Sequence, residues 1–317
     1  MHYNHLTREQ RYAIYLGLQE GKSHKAIARQ IKVHPSTIGR EIKRNSTHRG
    51  HYSWQIAQES AEIRREHMPG NRSIDPNILK EALHLLKTED WSPKQISGYL
   101  STKSEYISHE TIYKRIRSDK SGELRGHCRH KLKYRHHVKV VRKTKVRNIP
   151  DRTSIHDRPT EADGKRFGDW EMDLIIGKGQ KSAILTLCEC SKNYLLMAKL
   201  PQGKNPEKVA DTVIRLLMPY KKNVLTITTD NGSEFACHKK IAKKLETTVY
   251  FADSYASWQK GAIENGNKLI RQYIPKGTDF RMLSEEFIRE VQYKINRRPR
   301  EKLNFSTPKK EFFKLIS

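Results

Sequence analysis

Acidic side chains are scarce in this chain: 35 Asp and Glu stand against 62 Lys and Arg among 317 residues, a formal charge of +27. With a pI near 9.9, that excess goes far beyond what solubility needs and points to phosphates or anionic lipid as partners. Long apolar runs are missing too. No segment is long enough to span a bilayer, and the opening Met1-His2-Tyr3-Asn4-His5 has no signal-peptide core. Nucleic acid therefore ranks ahead of lipid, and no membrane partner is expected. Cysteine is sparse: Cys128, Cys188, Cys190 and Cys237 form neither a disulfide framework nor a paired CxxC zinc pattern, so they are read as reduced thiols. Cys188 and Cys190 alternate along an apolar stretch, which assigns both to one strand face as small buried hydrophobes. His127, His130, His136 and His137 fit no tetrahedral zinc spacing and are read as a phosphate-facing tract. No Gly-x-x-x-x-Gly-Lys-Ser/Thr loop occurs, which removes the nucleotide hydrolases built on it. Apolar residues make up only 35%, so several small cores are expected rather than one large one.

Composition and periodicity divide the chain into residues 1–60, 61–120, a basic linker 121–165, and 166–317. In the first part, Ile27, Ala28 and Ile31 make an apolar stripe at helical spacing. A turn through Lys32-Val33-His34 follows, and a second helix opens at Pro35, a residue suited to a first helical turn. This pattern reads as a helix-turn-helix. Its second helix would present Ser36, Thr37 and Arg40 to base edges in the major groove, and Lys43 and Arg44 to phosphate. A second helical pair is expected at 93–100 and 109–117, capped by Ser92 and Ser108. It reads as another DNA-contacting unit, with His109, Lys114 and Arg115 as its contacts. Residues 114–147 then hold fourteen Lys or Arg against Asp119 and Glu123. A run like that builds no packed core and is expected to lie along a duplex, with binding that falls about a thousandfold or more between low and moderate salt.

From Gly168 the pattern changes. Strands are expected at 169–176, 183–190, 194–199, 224–229 and 249–251, and helices at 206–218, 233–245, 261–274 and 284–296. Three strands joined by short turns, then strands alternating with helices, indicate a mixed five-stranded sheet, the order of a ribonuclease-H-like core. The fold class expected is thus multidomain: all-α helix-turn-helix units followed by an α/β core.

Three carboxylates stand out against this frame. Asp169, Glu171 and Asp173 alternate to one face of the first strand. Asp173 is favoured among them because it borders Leu174-Ile175-Ile176, where an acid is costly unless it binds a cation; Asp169 and Glu171 are read as a solvated strand start. Asp230 ends the fourth strand, before the turn-former Asn231-Gly232. Glu264 lies near the start of a helix, with Lys268 and Arg271 four and seven residues on. Glu234 is read as a complement to a helix dipole and not as a ligand. An oxygen-only set of Asp173, Asp230 and Glu264 suits Mg²⁺ or Mn²⁺, two ions per site, and phosphoryl transfer without a covalent protein intermediate. Trp258 and Lys260, just before that helix, are expected to touch DNA, the indole by stacking on an unpaired base.

The stretches 168–177, 228–235, 250–264, 269–279 and 303–308, together with 36–45 and 107–113, resemble the insertion-sequence-thirty family, within the DDE transposases and retroviral integrases. Nearly the whole chain is covered. The resemblance implies that Asp173, Asp230 and Glu264 are the catalytic triad and that Arg271 is the basic residue usual beyond the glutamate. It further implies Mg²⁺-dependent cutting and strand transfer on terminal inverted repeats and target DNA, often through a circular intermediate, by a homo-oligomer of at least two subunits. A cytoplasmic, nucleoid-associated, bacterial-type protein follows. Two positions depart from the family pattern: Lys32-Val33-His34 stands where a glycine is common, and Ile263-Glu264-Asn265-Gly266-Asn267 replaces Asn-Glu-Asn-Thr-Asn. Two other readings remain, a sequence-specific DNA-binding regulator with an inactive integrase-like domain, and a nuclease acting on RNA–DNA hybrids.

Overall fold

The structure, a computed structural model, describes residues 5–47, 50–66, 74–132, 149–180, 182–254 and 256–316. The stretch 133–147 of the basic run, His136, His137, the side chain of His130, and Tyr255 lie outside the described residues. The chain forms two compact units, Met1–Ser73 and Ile74–Ser317.

The first unit holds α1 (Arg8–Gln19), α2 (His24–Gln30), α3 (Pro35–Asn45) and α4 (Trp54–Glu66). Thr7 and Gln10 close a capping box at the start of α1, each side chain accepting the other's backbone N–H. Ser23 caps α2, and Pro35 fills the first position of α3. Ile14, Ile27, Ala28, Ile38, Tyr52 and Ala57 form the core. A Cβ on Gly17 would stand 2.7 Å from Ile27 Cγ1, so the close approach of α1 to α2 requires glycine there. In the turn between α2 and α3, Lys32 takes a left-handed φ of 58°. The lysine thus adopts the backbone that the usual glycine would supply, at roughly 1–2 kcal/mol.

The second unit begins with α5 (Pro76–Glu89), α6 (Pro93–Thr102), α7 (His109–Ser118) and α8 (Glu123–Gly126), packed around Ala82, Leu86, Ile96, Leu100, Ile112 and Ile116. Ser92 closes a capping box with Gln95 and Ser108 caps α7, the start signals read in the sequence. The sheet then comprises β1 (Thr153–Ser154), β2 (Asp169–Ile176), β3 (Ala183–Glu189), β4 (Tyr194–Leu200), β5 (Thr226–Thr229) and β6 (Thr248–Phe251), in the order β1-β6-β5-β2-β3-β4. β2, β3 and β4 form an antiparallel meander, while β5 and β6 add in parallel beside β2. The sheet has six strands, not the five expected. The extra one is a two-residue strand parallel to β6, and Thr153-Ser154 carries no apolar run to announce it.

The helices α9 (Pro206–Leu217), α10 (His238–Leu245), α11 (Gly261–Tyr273), α12 (Glu285–Asn296) and α13 (Pro308–Phe313) complete the unit. Trp170 and Met172 face one side, with Val209, Val213, Phe235, Ile241 and Phe312. Ile175, Ile184 and Leu195 face the other, with Ile263, Leu269, Ile270 and Ile288. Each such side chain contributes about 1.5–3 kcal/mol when fully buried. The helix expected at 233–245 divides into a 3₁₀ turn, Ser233–Phe235, and α10. A continuous helix would set Phe235 on a different face from Ile241 and Leu245, yet all three are buried in one cluster. The edge strand β4 is closed by α12: Asn296 bonds both the N–H and the C=O of Leu195 at 2.8 and 2.7 Å, and Gln292 accepts from Met197 N at 2.6 Å.

Candidate active site

β2 positions Asp173 opposite Thr186 of β3, and the Thr186 hydroxyl donates to its carbonyl at 3.1 Å. Asp230 follows β5 directly, and its Oδ1 accepts the Gly232 N–H at 3.0 Å, an Asx turn that fixes the carboxylate at the strand end. Both acids converge on Lys260. Its ammonium lies 3.6 Å from Asp173 Oδ1 and 3.4 Å from Asp230 Oδ2, and the residue is only 5% exposed. Burial, followed by the nearby Asp230, raises the Asp173 carboxyl above its ordinary range, while Lys260 works in the opposite direction.

Glu264 sits half-buried in the first turn of α11. Lys260, Glu264, Asn267 and Arg271 recur at four, three and four residues, one stripe of a helix. The sequence reading missed Asn267. Its Nδ2 donates to Asp173 Oδ2 at 2.7 Å, and its Oδ1 is buried without a partner. The stripe spacing from Glu264 was the signal that could have found it.

The solvated strand start assigned to Asp169 and Glu171 is corrected by the structure. They are 2% and 6% exposed. Asp169 accepts from Arg166 at 2.7 and 3.0 Å and from the Thr226 hydroxyl at 2.6 Å. Glu171 Oε2 accepts the Ile263 N–H at 2.8 Å. A carboxylate from β2 thus binds a free N–H at the start of α11, where the helix dipole favours negative charge, and ties the Glu264 turn to the Asp173 strand. Burial raises the Glu171 carboxyl, and the hydrogen bond from Ile263 offsets part of that.

Among the described residues no three His, Cys, Asp or Glu side chains stand close enough to hold a metal ion. Two carboxylates close around a cation, and that cation is the chain's own. The donor set is all oxygen, and the Asn267 Oδ1 beside it lacks a partner. Both features suit a hard divalent ion.

A helix-turn-helix domain matches residues 2–45. Over 319 residues the chain is 43% identical to the transposase for insertion sequence element IS4351 of Bacteroides fragilis, covering 99% of this chain and 97% of that one. It is 35% identical over 322 residues to transposase InsI for insertion sequence element IS30A of Escherichia coli (strain K12), covering 96% and 82%. The chain belongs to the insertion-sequence-thirty family of transposases. The catalytic core domain of BIV integrase, a solved structure, is similar at a TM-score of 0.37 and 19% identity over 48% of this chain and 97% of that one, a likeness too slight to add weight beside the sheet order itself.

In this transposase the remaining site expectations fall at several places. Trp258 is 77% exposed at the rim of a cleft of about 430 Å³ that Arg158, Glu171, Gln259, Asn265 and Lys302 also line. Lys268 is exposed on α11. Arg271 is not gathered with the carboxylates: its Nη1 turns to the Ile274 and Pro275 carbonyls at 3.4 and 3.3 Å, satisfying the C-terminus of its own helix. On α3, Arg40, Lys43 and Arg44 are exposed while Ser36 and Thr37 are half-buried. Thr37, Arg40 and Arg44 share a hollow of about 100 Å³ with Arg64 and Arg65 of α4, two further cations that the sequence reading did not single out. His109, Lys114 and Arg115 are exposed on α7. No helix among the described residues is long and apolar enough to cross a membrane.

Proposed function

We propose that this transposase binds the terminal inverted repeats of its own insertion sequence and cuts and rejoins DNA strands there, with Asp173, Asp230 and Glu264 as the catalytic carboxylates. The observation that carries this reading is the convergence of Asp173 and Asp230 on one cation beside the Glu264 turn. Mg²⁺ or Mn²⁺, as two ions, supplies when bound an activated water or 3′-hydroxyl and a stabilised leaving oxygen. The residues do the rest. Asn267 holds the outer oxygen of Asp173, Glu171 anchors the α11 start, Trp258 offers a face to an unpaired base, and Lys268 meets the DNA backbone. The helix α3 reads sequence, α7 adds a second DNA contact, and at least two subunits act together.

The test is a gel assay with labelled DNA carrying the ends of the element, in Mg²⁺ and in EDTA. Metal-dependent nicks and joined strands are expected. Specific binding with no strand chemistry in either divalent metal would move the reading to a regulator with an inactive core. Cutting of RNA–DNA hybrids without joining would move it to a hybrid nuclease.

Specificity is assigned to α3. Replacing Arg40 and Arg44 together by Ala should reduce discrimination between element ends and unrelated duplex by about a hundredfold, at roughly 1–3 kcal/mol for each lost contact. Competition binding at fixed salt measures this, and full discrimination in the double variant would refute the assignment.

Lys260 gives a sharper expectation. Its ammonium occupies the position of a cation between two carboxylates, so a divalent ion must displace it, and the freed ammonium then becomes available to a DNA phosphate. Lys260→Met removes the competitor. Mn²⁺ should bind the variant about tenfold more tightly, near 1.4 kcal/mol, in calorimetric titrations at one pH, and the same variant should melt at a lower temperature in EDTA. Equal Mn²⁺ affinity in both proteins refutes the exchange.

A further inference from the structure

Three arginines in the second unit lack what buried cations require. Arg298 is 1% exposed, Arg129 and Arg300 are half-buried, and in all three the Nε is buried with no hydrogen-bond partner. Arg298 spends its other nitrogens on Gln272 Oε1, at 3.1 Å from both Nη atoms, and on the Tyr273 hydroxyl at 2.5 Å. Arg300 makes one long bond, 3.4 Å, to the Ile295 carbonyl. Gln272 also donates to the His127 carbonyl at 2.9 Å, which brings the turn carrying Arg129 against the same α11 terminus. None of the three has a carboxylate partner within ion-pair distance, although every Asp and Glu of the chain is among the described residues. The nearest acid, Asp90, is already engaged by His127 Nδ1 at 2.8 Å, by Lys294 at 3.8 Å and by the Tyr273 hydroxyl. Burial and the neighbouring guanidiniums hold Arg300 down at about 10 and lower Arg129 as well. Buried charges persist when paired, and an uncompensated one is strongly destabilising.

We propose that Arg129, Arg298 and Arg300 form a binding site for one phosphate-class oxyanion, at the seam between helices α5–α8 and the loop that follows α12. Three free Nε–H donors converge there, and guanidinium groups match the oxygen geometry of phosphate and sulfate. The chain itself cannot supply the anion: the adjoining residues 133–148 contain no Asp or Glu. Two sources share this chemistry, free inorganic phosphate and a phosphodiester of bound DNA.

The experiment is thermal unfolding of the full chain in sodium phosphate and in sodium chloride at matched ionic strength and pH. The wild type should melt roughly 3 °C or more higher in phosphate, because the anion binds the folded state alone. Arg300→Leu should lose that increment and, with one repelling charge gone, should melt higher than wild type in chloride. That sign is opposite to the one a purely structural arginine gives. Arg129→Met, at a less buried position, should also lose the increment and serves if Arg300→Leu does not fold. The proposal is overturned if the wild type melts equally in both salts, or if the variants keep the phosphate increment. Duplex binding separates the sources. A roughly tenfold weaker affinity in Arg129→Met assigns the site to a DNA phosphodiester, and unchanged affinity with the increment lost assigns it to the free ion.

Discussion

Asp230→Asn and Glu264→Gln should each leave DNA binding within about twofold of wild type and lower strand cleavage on the order of a thousandfold or more, about 4 kcal/mol of transition-state stabilisation. The amides keep the shape of the side chains and remove the anionic charge that a divalent ion requires. Neither change should disturb folding. Asp230 is half-exposed beyond a strand end, where its structural bond accepts from the Gly232 N–H through a single oxygen, a bond an amide oxygen also makes. Glu264 faces outward from the apolar side of α11, whose core contacts come from Ile263, Leu269 and Ile270. Asp173 is a less clean test. Its carboxylate is wedged between Lys260 and Asn267, so a loss there mixes catalysis with packing. The measurement pairs the strand-cleavage gel with anisotropy on the same labelled ends. Cleavage at wild-type rates by either amide variant removes that residue from the catalytic set.

The strands were legible because their composition is unambiguous: β2 spans the eight residues expected, and its alternation set Asp173 and Trp170 on opposite faces as the structure has them. Acids at 169 and 171 were harder. Alternation placed them on the face of Asp173, but burial depends on partners far along the chain, Thr226 for Asp169 and the Ile263 N–H for Glu171, and no local pattern carries those. Lys260 illustrates the same limit in reverse. A lysine beside an exposed tryptophan in a basic chain reads as a DNA contact, and only the meeting of β2, β5 and α11 turns it inward between two aspartates. The β1 strand and the break before α10 were missed because each is set by tertiary packing against weak or contrary local preference.

Arg11→Met should destabilise the first unit by about 3–5 kcal/mol, a large share of the 5–15 kcal/mol that holds a typical domain. Arg11 is buried, with Nε donating to Glu41 Oε1 at 2.7 Å and Nη1 to the Leu6 carbonyl and Gln58 Oε1 at 2.8 Å each. One side chain therefore ties α1 to α3, to the segment before α1 and to α4. Removing it strands Glu41, also buried, with the Tyr52 hydroxyl at 3.4 Å as its remaining donor. Burial, and then the Glu41 carboxylate, push that hydroxyl far above its ordinary range, so it stays protonated and able to donate. One weak bond does not replace a guanidinium, and the uncompensated carboxylate is the main cost. The double variant Arg11→Met/Glu41→Leu should recover most of the loss, because no buried charge remains. Glu41 lies on the same helix as Arg40, Lys43 and Arg44, which are exposed. The single variant should therefore lose binding to element ends as α3 melts, and the double variant should regain it with the three cations untouched. Thermal melts of the full chain read beside anisotropy on element-end DNA decide the matter. A double variant no more stable than the single one would show that the pair does more than neutralise itself, and would assign the loss to the Leu6 and Gln58 bonds instead.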